Sequence, residues 1–188
     1  VRHGPIVGVL LAAGSATRFG ADKLSVALPD GRPLAIMALE PLLATVDEVV
    51  AVVRAADRLL ASALHAHGAR ISACPDAAEG MGVSLAWGVR AAPLAAGWVI
   101  ALADMPWIRG ETIGAVASAL RSGASVVAPE YTGKRGHPVG FAARLYGELI
   151  ALVGDEGARN VLARHPPSLI ATRDAGILRD IDRPADLS

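Results

Sequence analysis

Residues 11–23 hold two glycines, Gly14 and Gly20, two hydroxyls, Ser15 and Thr17, and two cations, Arg18 and Lys23. Glycine permits close approach of backbone to a ligand, and free N–H groups beside cations suit a triphosphate. The glycine and lysine spacings fit neither a Walker loop nor GxGxxG, so this is a phosphate cradle of another kind, or a plain chain turn at its glycines. Asp104 follows the uncharged run 98–103. A carboxylate there can hold Mg2+, a hard ion that takes few protein oxygens and completes its shell with phosphates and water. Asp180 and Asp182 offer a second carboxylate, and both equally suit turn and capping positions ahead of Pro184. Nucleotidyl transfer uses such parts: an acceptor oxygen attacks a phosphate directly, while positioning and charge stabilisation carry the catalysis. It needs no protein nucleophile. The histidines are scattered, apart from His137 between Gly136 and Pro138, and Cys74 in an apolar run reads as core.

The choice of cation carries information too. Of the 18 basic residues only Lys23 and Lys134 are lysines, each in a glycine-containing loop. Lysine is a compact, mobile point charge and arginine a rigid fork, so the two are not interchangeable. A polar loop around Lys23 predicts that substitutions there cost little stability.

These groups need elements that bring them together. The apolar run 6–12 reads as a buried parallel strand, 13–32 as a loop, and 33–44 as a helix with Pro33 at its start. Strands follow at 48–53 and at 70–74, which stops at Pro75, with a helix over 56–67 between them. A second glycine loop, 79–82, runs into a helix over 84–91, and the strand at 98–103 ends at Asp104-Met105-Pro106. A helix over 110–121, a strand over 124–128, a loop at 129–137 and a strand over 138–141 come next. Helices over 143–152 and 156–164 and short strands at 168–172 and 177–179 complete the pattern. Alternating strands and helices imply right-handed βαβ units. The predicted fold class is α/β: one doubly wound, mostly parallel, Rossmann-like domain over 1–188. Ligands of such sheets lie beyond the carboxyl ends of the strands, so loops 12–23, 75–84 and 103–106 should converge.

Composition narrows the partners. With 53% hydrophobic but only 4% aromatic residues, the core must be built from Ala, Val, Leu and Ile. Acidic and basic residues balance at 18 each without a basic block, which argues against a nucleic-acid partner. The single cysteine excludes an intramolecular disulfide and a cysteine-based zinc site. The apolar stretch 6–13 is too short to span a bilayer and lacks a basic n-region, so no membrane association and a cytoplasmic location are expected.

Taken in order, these segments resemble the MobA-like nucleotidyltransferases, and among them the molybdenum cofactor cytidylyltransferases. The family opening LAAGxSxRFGxxK matches 11–23, with Ala16 where the family usually carries serine or another small polar residue. GMGxSL matches 80–85, DMP matches Asp104-Met105-Pro106, and RGHPV matches 135–139. GDxGAR matches 154–159, and DIDTPEDL is close to 180–187. Ala13-Gly14, where the guanylyl branch has Gly-Gly, points to the cytidylyl branch. The resemblance implies CTP and molybdopterin cofactor as substrates, the cytosine dinucleotide and pyrophosphate as products, and Mg2+ as cofactor. It implies that Arg18, Lys23 and Asp104 are catalytic. The nucleotide would lie against Leu11, Ala12, Ala13, Gly14, Ser15, Arg18, Lys23, Asp76, Gly82, Ser84 and Asp104. Asp104 and Asp182 would hold the metal, and Arg135, Gly136, His137, Pro138, Asp155 and Arg159 would face the second substrate. A molybdoenzyme or its chaperone is the implied protein partner. The alternatives are a GTP-using enzyme, one acting on a sugar or alcohol phosphate, or a nicotinamide- or flavin-linked oxidoreductase relative. The lack of GxGxxG argues against a standard nicotinamide site.

Overall fold

Side chains alternate along β1 (Ile6–Leu11), and each face of the strand enters a different core. Ile6 and Leu10 pack with residues of α1 (Leu34–Leu43), α2 (Arg58–Ala66) and α4 (Gly110–Arg121). Val7 and Val9 pack with residues of α3 (Met81–Arg90), α5 (Tyr146–Ile150) and α6 (Arg159–Arg164). A strand buried on both faces has no polar side, which is why it reads as an unbroken apolar run. The computed structural model describes residues 4–14, 23–28, 31–182 and 186.

β1 pairs in parallel with β2 (Glu48–Arg54) and β4 (Gly97–Leu102), and β2 with β3 (Arg70–Cys74). The sheet order is β3-β2-β1-β4-β7-β5-β6, and β8 (Ser168–Ala171) runs parallel to β5 (Val126–Tyr131). β7 (Val139–Ala142) is antiparallel to both β4 and β5, and β6 (Lys134–Arg135) is antiparallel to β5. The result is a mostly parallel, mixed α/β sheet of Rossmann-like form. β3, β2, β1 and β4 all end at the same edge, so the loops that follow them emerge together there.

Several expected boundaries move, each for a local reason. α3 starts at Met81 rather than 84, so Gly82 lies in its first turn; Gly80, at φ 127°, separates it from a 3-10 turn over Ala77–Glu79. The helix expected over 143–152 is a 3-10 turn, Ala143–Leu145, running into α5. The helix expected from 156 begins at Arg159, after Gly154 and Gly157 with positive φ. The loop expected over 129–137 contains the β5–β6 hairpin, turned through Thr132 and Gly133, both at positive φ. The strand expected at 177–179 is instead a 3-10 turn, Ala175–Leu178, whose cap Asp174 accepts the Gly176 N–H at 3.0 Å. Among the described residues no helix is long and apolar enough to cross a membrane.

Candidate active site

A cleft of about 530 Å³ opens at the carboxyl ends of β1, β2 and β4. Leu11, Ala13 and Gly14 form one wall, Ser84 and the 77–81 turn face them, and Lys23, Asp104 and Asp182 lie along it. Among the described residues nothing stands within 4 Å of a Cβ built on Gly14. Ala12 is buried and donates its N–H to the Val52 carbonyl; it supports the wall without lining it. Asp76 and Gly82 also lie outside the lining. Asp76 precedes the 77–79 turn, and Gly82 packs behind the cleft, donating its N–H to the Gly154 carbonyl at 2.8 Å. Ser15 and Arg18 fall outside the described residues.

Lys23 corrects the expectation of a polar-loop position. It is buried, at 8% exposure, and opens a 3-10 turn. Its Nζ donates to Asp104 Oδ2 at 3.1 Å and to Asp182 Oδ1 at 3.2 Å. Burial pushes the Asp104 carboxyl above its ordinary value; the Lys23 charge and hydrogen bond pull the other way, and Asp180 adds to the rise. Asp182 arrives on the C-terminal segment, which is tied across the 104–109 loop. Asp174 accepts the Arg109 N–H at 2.8 Å, Arg179 stacks over Trp107 at 4.8 Å, and the Ile181 N–H meets the Asp104 carbonyl at 2.9 Å.

Two carboxylates around one cation test the fit of a metal. Among the described residues no three His, Cys, Asp or Glu side chains converge, so what they offer is an open pair. An open pair is what Mg2+ or Mn2+ takes when phosphates fill the remaining positions. Asp104 and Asp182 fit that role.

A second cleft, about 350 Å³, shares Leu11, Met81, Leu102 and Asp155 with the first. Arg135, Gly136, His137, Asp155 and Arg159 line it, whereas Pro138 is buried outside the lining. Asp155 Oδ1 accepts the Met81 N–H at 3.2 Å, at the N-terminus of α3, where a carboxylate suits the helix dipole. Burial, reinforced by Arg135 and opposed by Asp180, holds the His137 pKa down to about 4. Cys74 is buried, and burial raises its thiol pKa, in keeping with a core role.

Sequence reasoning missed Arg54, which lines the first cleft and donates to Asp57 at 2.7 Å. Its signal was its place at the carboxyl end of β2, beside β1, the same rule that picked out the other loops.

The model of the MobA-like NTP transferase domain matches residues 8–169. Purine catabolism protein PucB of Bacillus subtilis (strain 168) is 30% identical, over 96% of this chain and 93% of its own. Nicotine blue oxidoreductase of Paenarthrobacter nicotinovorans is 31% identical, over 94% and 92%. The crystal structure of Rv0371c from Mycobacterium tuberculosis H37Rv superposes with a TM-score of 0.82 at 27% identity, covering 97% of this chain and 95% of that one. The same protein has been solved in complex with manganese, with a TM-score of 0.78. With a family match over residues 8–169 and relatives aligned along nearly the whole chain, this chain belongs to the MobA-like NTP transferase family.

Proposed function

We propose that this chain, working as one domain, transfers CMP from CTP to the molybdopterin cofactor and releases pyrophosphate. The observation that carries the reading is the meeting of Lys23, Asp104 and Asp182 in a cleft that adjoins a second one lined by Arg135, His137 and Arg159. A phosphate oxygen of the acceptor attacks the α-phosphorus of CTP. That P–O bond forms as the bond to the β-phosphate breaks, and the electron pair leaves with pyrophosphate. The Gly14 backbone approaches the triphosphate, joined in this reading by Ser15 and Arg18. Lys23, drawn off the carboxylates, follows the charge that grows on the departing pyrophosphate. Asp104 and Asp182 would hold Mg2+, whose charge offsets that of the phosphates. Arg135 and Arg159 hold the acceptor's anionic end. Ala12, Asp76, Gly82 and Pro138 shape the walls from behind.

The setting we infer is the cytoplasm, without nucleic acid or membrane, with a molybdoenzyme or its chaperone receiving the product. Supplying the protein with each labelled NTP, Mg2+ and molybdopterin cofactor tests the reading. CTP should yield pyrophosphate and the cytosine dinucleotide; no pyrophosphate from any NTP rejects nucleotidyl transfer.

The likeness to nicotine blue oxidoreductase favours a second reading, a reductase built on the same frame. It predicts consumption of a reduced nicotinamide or flavin, which the same protein sample can be assayed for directly.

A further inference from the structure

His137 is gripped through its backbone. Its N–H donates to the Ile177 carbonyl at 3.0 Å, and the preceding Gly136 N–H donates to the Pro129 carbonyl at 2.9 Å. Any Cβ at Gly136 would collide with the Ile177 carbonyl, so glycine is needed to let the segment close. The backbone that carries the ring is therefore held at the wall of the second cleft, which His137 lines.

Its two nitrogens are in different situations. Nδ1 is fully buried and, among the described residues, has no hydrogen-bond partner. Among the described residues Nε2 has no protein partner either, but it is not sealed off as Nδ1 is, and the residue lines the open cleft. With its pKa held near 4, the imidazole is uncharged at neutral pH and carries one N–H and one bare lone pair. Orphaned buried N–H groups are rarer in folded proteins than under-satisfied acceptors. The buried, unpartnered position therefore goes to the lone pair, and the proton to the nitrogen that a ligand can reach. The cleft wall mixes apolar side chains, Ile100, Leu102, Val139 and Phe141, with the charged Arg135, Asp155, Glu156 and Arg159.

We infer that His137 carries its ring proton on Nε2 and presents it as a fixed N–H donor to a hydrogen-bond-accepting atom of the second substrate. This rests on the reading of that cleft as the acceptor site. It makes His137 a specificity-determining group: an acceptor with a carbonyl, ring nitrogen or phosphate oxygen at that point is taken, and one offering only a donor is refused. The arginines of the cleft attract any anion; His137 adds a directional requirement that charge alone does not impose.

Two measurements test it. In wild-type protein labelled with nitrogen-15 at histidine, long-range proton–nitrogen spectra should show His137 as the Nε2–H tautomer, unchanged between about pH 6 and 8. A proton on Nδ1, or titration near the ordinary histidine value, overturns the inference. In kinetics with CTP and molybdopterin cofactor, His137→Asn places its amide near Nδ1 and should raise the acceptor KM about tenfold, the loss of one hydrogen bond, with the CTP KM unchanged. His137→Gln reaches toward Nε2 and should recover most of that loss. Equal effects of both variants, or an effect on CTP instead, overturn it. If the variants do not fold, the wild-type spectrum decides. A wild-type protein that makes no dinucleotide from this cofactor overturns the proposed acceptor, and the spectrum still reads the tautomer.

Discussion

The Lys23 ammonium lies 3.1 Å from the Asp104 carboxylate and, on its other side, 3.2 Å from Asp182. One cation thus balances two carboxylates that are themselves 29% and 55% exposed. On the proposed reading, a divalent ion entering between those carboxylates would compete with Lys23, and the displaced ammonium would lie in the cleft that takes the triphosphate. Lys23→Met should therefore bind Mn2+ more tightly than wild type when no nucleotide is present, as read by titration. Without metal it should be less stable by about 1–2 kcal/mol, below the value for a fully buried pair because the carboxylates are partly solvated. Equal Mn2+ affinity in the two proteins would show that Lys23 and the metal do not share the carboxylates.

On the proposed reading, turnover should depend on that lysine in a way net charge does not capture. Lys23→Arg should reduce turnover although the charge is kept, and Lys23→Ala should reduce it further, because a planar fork meets the phosphates at another distance and angle. Wild-type kcat and CTP KM in Lys23→Arg would remove this role.

Asp104→Asn should fold normally and lose about 10²–10³ in rate, the usual effect of deleting one charge-stabilising group. Circular dichroism and a pyrophosphate-release assay on the same sample separate the two outcomes. Near-normal turnover would take Asp104 out of the site.

Ala13 lines the first cleft, and on the proposed reading CTP is expected to exceed GTP in kcat/KM at fixed acceptor. A preference for GTP would reject the cytidylyl assignment and leave nucleotidyl transfer in place.

Asp47 ties down the start of β1: its carboxylate accepts the Ile6 N–H at 2.7 Å and pairs with Arg121 at 2.9 Å. The Ile6 hydrogen bond lowers its pKa most, with Arg121 adding to the effect against a burial penalty. A folded-state pKa below the unfolded 3.8 means that Asp47 contributes stability above that pH and loses it as pH falls through the folded value. Asp47→Ala should cost about 1 kcal/mol at neutral pH, a figure kept small by solvent screening. Denaturant midpoints of the two proteins should draw together on acidification below pH 3.8; a gap that persists would point to packing.

Some of this was written locally in the chain. β1 and β4 are buried on both faces, so their apolar runs gave their positions to within a residue or two, and the rule for strand ends then located three of the loops that line the clefts. Lys23 shows where local pattern stops. Its neighbours suggested an exposed loop, but its partners lie 81 and 159 residues away, and no window of sequence contains them. The antiparallel insertion of β7 between β4 and β5 and the 3-10 turn at 175–178 are likewise set by tertiary pairing and a side-chain cap, which periodicity does not register.

The way the C-terminal segment ties down over the 104–109 loop also bears on the order in which the protein is made. Asp182 follows Lys23 by 159 positions, so a ribosome has released nearly all of the described chain before the second carboxylate can reach the first. A nascent chain with β1 to β4 already paired holds Lys23 and Asp104 but not the complete pair of carboxylates. The charge centre thus closes only after nearly all of the described chain has been made, and on the proposed reading capture of a metal–nucleotide complex waits for that closure.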